Sequence, residues 1–160
     1  MNIFFVDADP AQAAKDLCDQ HICKMPIELG QMLSTAHHIL DPHLDHSKLY
    51  KPTHKNHPST IWVRQHPKHY IWAFKHFYEL CLEFNRRYHK VHLTQIRLAH
   101  LLNYLPESFD PDDPTWIDPP PAMPDECKLS NSIESYRFYY RSVKSKFATW
   151  KYTTQPTWYS

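Results

Sequence analysis

Residues 18–38 read CDQHICKMPIELGQMLSTAHH, and the fold turns on how that stretch is taken. As one helix it presents Ile22, Met25, Leu29, Met32 or Leu33, Ala36 and Leu40 as an apolar stripe. Beside it runs a polar stripe of His21, Lys24, Glu28, Gln31 and Thr35, spaced 3, 4, 3 and 4. Pro26 interrupts the pattern. Proline in a helix interior costs about 3 kcal/mol but suits a first turn, so either the helix kinks there or a second one begins. In the second case Glu28 is a third-position residue that caps the first turn. In the first it is a carboxylate flanked by His21 and Lys24, suited to acid–base or electrostatic work. Gly30, the only glycine in 160 residues, leaves room for a ligand or another backbone to come close.

Outward from this segment the chain reads as all-α. MNIFFVDADP is short, apolar and extended, apolar enough to be held between helices, and Asp9-Pro10 opens a helix over residues 11–24. The segment 26–40 continues it or starts the next. PSTIWVRQ predicts a short helix, and residues 67–90 the strongest one, because Tyr70, Phe74, Phe77, Cys81, Phe84 and Tyr88 recur at 4, 3, 4, 3 and 4. LTQIRLAHLLNYL and SNSIESYRFYYRSVKSKFATW are further helices, the last capped near Ser130 or Ser132. Residues 105–127 hold seven of the fourteen prolines and no periodicity, which predicts a long loop. The aromatic tail TTQPTWYS is expected to dock. No repeat or linker divides residues 1–160, so a single compact domain is expected.

Composition removes several classes. One glycine is too few for a phosphate-cradling Gly loop or a turn-rich β-sandwich. Cys18, Cys23, Cys81 and Cys127 lack zinc-ribbon spacing and read as reduced thiols of a cytoplasmic protein. No apolar run approaches the ~20 residues of a membrane span, and MNIFFV lacks the features of a signal peptide. The formal net charge of +1 hides a segregation: residues 1–47 carry −5, 48–104 carry +8, 105–127 carry −7 and 128–160 carry +5. The two basic segments could share one face toward a polyanion, or be ordinary solvated helix faces.

NRRYHK and YRFYYRSVKSK interleave aromatic and basic residues, so Arg86, Arg87, Lys144 and Lys146 are candidate phosphate contacts, their tyrosines being better placed in the core. YKPTHKNHPSTIWVRQ offers Lys51, His54, Lys55, His57 and Arg64 in a proline-bounded loop. These could bind phosphate, could join Cys18 and His21 as metal ligands, or could be plain loop structure. Asp125 and Glu126 in AMPDECK are capping or exposed residues before they are site groups.

DQHICKMPIEL resembles the first active-site helix of the phage pyrimidine-dimer DNA glycosylases, the endonuclease V family. That helix also carries Asp-Gln-His and, after six intervening residues, a catalytic Glu and a Leu. Asp19, Gln20, His21, Glu28 and Leu29 match without a gap, and the closing PTWYS is similar to the family's Trp-Tyr-containing end. The resemblance implies a compact all-α enzyme acting as a monomer on double-stranded DNA, with no metal or other cofactor. It implies that a terminal α-amino group attacks the sugar carbon bearing a damaged base, forms a Schiff base and cuts the strand by β-elimination. Such an amine must be unprotonated, and α-amino groups titrate near pH ~8. Glu28 is then the carboxylate that stabilises positive charge on the sugar, and His21 and Gln20 position the substrate. Lys24 and Gln31 join the DNA contacts.

Two departures bear on the chemistry. The arginines that flank the family's glutamate correspond here to Ile27 and Gln31. The family exposes a small residue by removing the initiator methionine, whereas residue 2 here is Asn, too large for efficient removal, which puts the amine at Met1. Two alternatives therefore stand beside an N-glycosylase/AP lyase acting on damaged or modified pyrimidines. One is a DNA base-modifying transferase on the same scaffold, such as those that hypermodify thymine, using the 50–65 segment. The other is a non-enzymatic nucleic-acid-binding module.

Overall fold

The computed structural model describes residues 1–160 and contains helices and loops, with no strand. The helices are α1 (Pro10–Asp16), α2 (Asp19–Leu40), α3 (Pro58–Val63), α4 (Pro67–Tyr88), α5 (Leu93–Leu102) and α6 (Ser132–Ser142). Single 3-10 turns lie at His46–Lys48, Asp125–Cys127, Lys144–Lys146 and Thr157–Tyr159. No helix is long and apolar enough to cross a membrane. The four cysteines are free; Cys23 alone among them is exposed.

The ambiguity at Pro26 resolves in favour of one helix: α2 runs through it. Ile22, Met25, Leu29, Met32 and Leu33 are all fully buried on its inner face. Each fully buried apolar side chain of that size contributes about 1.5–3 kcal/mol, so the face outweighs the ~3 kcal/mol of the proline. Glu28 is therefore mid-helix, not a cap. The break comes earlier than the expected one, at Leu17-Cys18, where both residues are extended. Remote groups impose it. Arg87, near the end of α4, donates to the Lys15 carbonyl at 2.9 Å and the Leu17 carbonyl at 2.8 Å. Trp150 and Trp158 donate to the Asp16 carbonyl and carboxylate at 3.0 and 2.7 Å. The tail is docked, as its aromatic content suggested. α5 and α6 are shorter than their sequence patterns. α6 is capped by Asn131, whose side chain accepts from the Glu134 N–H at 2.9 Å, and it stops at Ser142.

Gly30 does serve close approach, but to a neighbouring helix. A Cβ there would lie 2.9 Å from Thr94 Cγ2 and 3.1 Å from Leu98 Cδ1, so α2 and α5 meet at this point. The proline-rich loop is long and held throughout: Trp62 donates to the Ile117 carbonyl at 2.7 Å, Ser132 to the Pro119 carbonyl at 2.5 Å and Tyr136 to the Pro120 carbonyl at 2.9 Å.

Arg87 is expected to be the costliest polar side chain to lose. It is 4% exposed, and it also donates to Glu83 at 2.9 Å and Asp19 at 3.2 Å. Arg87→Met keeps the volume but removes the buried cation from two buried carboxylates and the donors from the Lys15 and Leu17 carbonyls, which should lower unfolding stability by about 3–5 kcal/mol. A urea midpoint close to that of the wild type would contradict this.

The buried histidines set the acid limit. Burial, with help from Lys144 and Lys24, pushes His21 down to about 3. Burial pushes His76 down to about 4 against hydrogen bonds to the Pro10 and Ile3 backbone. The unfolded chain would titrate both near ~6.5, so it binds more protons below that pH. Stability should be complete above about pH 6.5 and fall by several kcal/mol, in order of magnitude, on the way to about pH 4. Urea unfolding across that window checks this; a flat profile would mean that the rings are not held neutral.

Candidate functional site

The site begins with the first six residues. Ile3, Phe4, Phe5 and Val6 are at most 4% exposed and thread the core as an extended segment. Phe4 has φ 53°, a left-handed conformation that costs a residue with a Cβ about 1–2 kcal/mol. Full burial of its ring more than covers this. The Asn2 side chain pins the bend. Its Oδ1 accepts from the Ile3 and Phe4 N–H groups at 2.8 and 3.1 Å, and its Nδ2 donates to the Ala122 carbonyl at 2.9 Å. Both ends of the long loop between α5 and α6 are anchored, so Ala122 is a fixed acceptor.

With its side chain held, the Asn2 backbone nitrogen has one direction to face. Its N–H donates to Glu28 Oε2 at 3.0 Å. The other oxygen, Oε1, pairs with Lys24 Nζ at 3.2 Å. The Glu28 side chain is 14% exposed and that of Lys24 63%. The carboxylate thus has one oxygen on the N-terminal segment and the other on a largely exposed cation. Met1 is half-buried against the core. Gln31, one turn further along α2, is half-buried; Gln20, at its start, is exposed.

Behind Glu28 stands an aromatic wall. His21 stacks on Phe4 with ring centroids 4.2 Å apart, and its Nδ1 hydrogen-bonds the buried Tyr140 hydroxyl. The ring is 4% exposed and neutral down to about pH 3, so it shapes the wall and does not relay protons near neutrality. Lys144 Nζ lies 5.8, 4.8 and 5.6 Å from the ring centroids of Phe4, Tyr139 and Phe147. That cation is within reach of the N-terminal segment. Lys146 is exposed and makes no ion pair.

The loop before α3 packs on α2 beyond Glu28. The Thr53 N–H donates to Thr35 Oγ1 at 3.2 Å, on the polar stripe two turns past Glu28. Arg64 donates to the Lys55 carbonyl at 2.8 Å and has a buried Nη1 without a partner. Lys51, His54 and Lys55 are exposed, His57 half-buried. His57 is near enough to Glu28 and to the Met1 amine to feel both charges: burial and the amine push it down, and Glu28 pulls it up.

Some candidates belong elsewhere. Arg87 has four of its five N–H groups engaged in the core, and no edge of its guanidinium is open to a phosphate. Arg86 is exposed but bonded to Glu83 at 2.6 Å. It lines a cleft of about 540 Å³ with Asp9, Gln12 and Lys15, a cleft in which no Glu28 neighbour takes part. Asp125 and Glu126 are exposed, and Asp125 pairs with Lys128 at 2.7 Å. No three His, Cys, Asp or Glu side chains converge as metal ligands would, and Cys18 and His21 both close on Tyr140 instead. Sequence patterns alone missed Asn2 and the Ala122 carbonyl, since nothing local marks a contact across 120 positions.

No curated protein and no solved structure matches the chain. A family model described as pyrimidine dimer DNA glycosylase matches residues 1–96. That span contains the N-terminal segment, the Asp19–Leu29 motif, the loop before α3 and all of α4. With Glu28 on the nitrogen of residue 2 and more than half of its length matched, the chain belongs to the pyrimidine dimer DNA glycosylase family.

Proposed function

We propose that the protein is an N-glycosylase with AP lyase activity on damaged or modified pyrimidines in duplex DNA, and that its nucleophile is the nitrogen of residue 2. One observation carries the reading: the Asn2 nitrogen is 3.0 Å from Glu28 Oε2. As an amide this nitrogen is not nucleophilic. Removal of Met1 would turn it into an α-amine at the same place, already in contact with the carboxylate. That favours residue 2 over the Met1 amine expected from the size of Asn. Asn in this position has a use of its own, because its side chain makes the three bonds that aim the nitrogen.

In this mechanism the amine attacks the sugar carbon that bears the base, and the base departs with the electrons of the glycosidic bond. The nitrogen then loses a proton, the sugar ring opens, and a Schiff base forms. Loss of a proton from the adjacent sugar carbon expels the 3′ phosphate and leaves a broken strand. Glu28 stabilises the cationic sugar and iminium by charge, and such stabilisation in a partly dry site is a large term in catalysis. Lys24 holds the second oxygen in register. Lys144, beside Phe4, and the exposed Lys51 and Lys55 of the loop before α3 serve as contacts for the negatively charged backbone. Arg86 and Arg87 do not join them.

Glu28→Gln should leave the fold intact, since the change is small in volume and in helix propensity. It should slow strand cleavage at an abasic site by on the order of a hundredfold or more. Borohydride reduction during the reaction should covalently trap the wild type on abasic duplex and trap the variant much more slowly. Equal trapping would remove Glu28 from the mechanism. Duplex binding without trapping of the wild type would point to the module that binds and does not cut.

A further inference from the structure

The imidazole of His57 is fixed in one chemical form by its own helix. Its Nδ1 accepts from the Ser59 N–H at 3.1 Å, so the ring caps α3. An accepting ring nitrogen carries no proton, which leaves the proton of the neutral ring on Nε2. Protonating Nδ1 would set one N–H against another and break the cap. Burial opposes the charged ring too, as does His54, and Glu28 alone favours it. The loop that carries the ring is shaped to hold it there. Thr53 is tied to Thr35, Lys55 to Arg64, and the His57 N–H donates to the His54 carbonyl at 3.0 Å. His54 takes a left-handed φ of 47° to close that turn, a strain that the anchors offset.

What the remaining N–H can hold follows from its surroundings. The chain has no acidic residue between Asp45 and Glu79, and Lys51, His54, Lys55 and Arg64 make the loop electropositive. An anionic oxygen is the complementary ligand. Resting on the reading of the site as one that acts on DNA, we propose that His57 is a positioning residue, a neutral hydrogen-bond donor whose Nε2–H holds a phosphodiester oxygen beside the attacked sugar. Neutrality matters at this place. A second full positive charge close to Glu28, in addition to Lys24, would compete further for the carboxylate that the cationic sugar needs, whereas a neutral donor grips phosphate without adding to that competition.

His57→Asn separates this role from capping, because Asn is among the best N-cap residues and should preserve the start of α3 and the thermal midpoint. The probe is a duplex with a tetrahydrofuran abasic analogue, bound in solution between about 50 and about 200 mM salt. The variant should bind about tenfold more weakly. The slope of log affinity on log salt should match the wild type, since no cation is lost. The ratio of the two affinities should stay constant from about pH 6.5 to about pH 8. Equal affinities would overturn the proposal. So would a slope smaller in magnitude by about 0.9, or a ratio that grows as pH falls, either of which would mark a cationic contact. Borohydride trapping of the wild type on abasic duplex, run in parallel, keeps the two readings apart. Binding without trapping would sink the lyase chemistry and leave the His57 contact standing. A wild type that binds no duplex would overturn both.

Discussion

Burial of residues 3–6 is the constraint on which the site depends. Four consecutive apolar side chains are drawn into the space between the helices, and the chain immediately before them must follow. The nitrogen of residue 2 therefore reaches Glu28 through core packing, not through a flexible tail. The same packing explains a strained Phe4: its ring is needed in the core, against His21 and Tyr140, more than its backbone is needed in a relaxed conformation. A terminal segment held this way has few conformations left to lose when substrate binds, which is what positioning a nucleophile requires.

The second determinant is electrostatic. Burial pushes the His21, His57 and His76 rings toward their neutral form, and charge is carried by lysines at the rim. Glu28 touches one cation, Lys24, whose far end is largely in water. In place of the arginines that flank the family's glutamate are exposed Ile27 and half-buried Gln31. The electropositive surface near the carboxylate comes instead from the loop before α3 and from Lys144.

Much of this was legible in the chain. The all-α class followed from helical periodicity and a single glycine, and the docking of MNIFFV and of the tail from their apolar and aromatic content. The polar stripe through Glu28 required only that α2 continue past Pro26, which its apolar face secures. What sequence could not locate was the break at Leu17-Cys18. Local propensity there favours helix, and the interruption is imposed by Arg87 from 70 positions away and by Trp150 and Trp158 from 134 and 142. For the same reason Arg87 read as a surface cation: Arg86 and Arg87 are adjacent in sequence but about 100° apart on a helix, and one faces water while the other faces the core. Asn2 was overlooked because its value lies in contacts to Glu28 and Ala122, neither of which a local pattern predicts.

The central claim is that the nitrogen of residue 2 is the reacting group, held in place by Glu28. Its most direct test is the position of the covalent bond. Wild-type protein reduced with borohydride on an abasic duplex would be digested with protease and nuclease, and the peptide bearing the sugar remnant sequenced by mass spectrometry. The expected result is a remnant on the α-nitrogen of Asn2, in a chain without Met1. A remnant on Lys144, on another lysine or on the Met1 amine would contradict it.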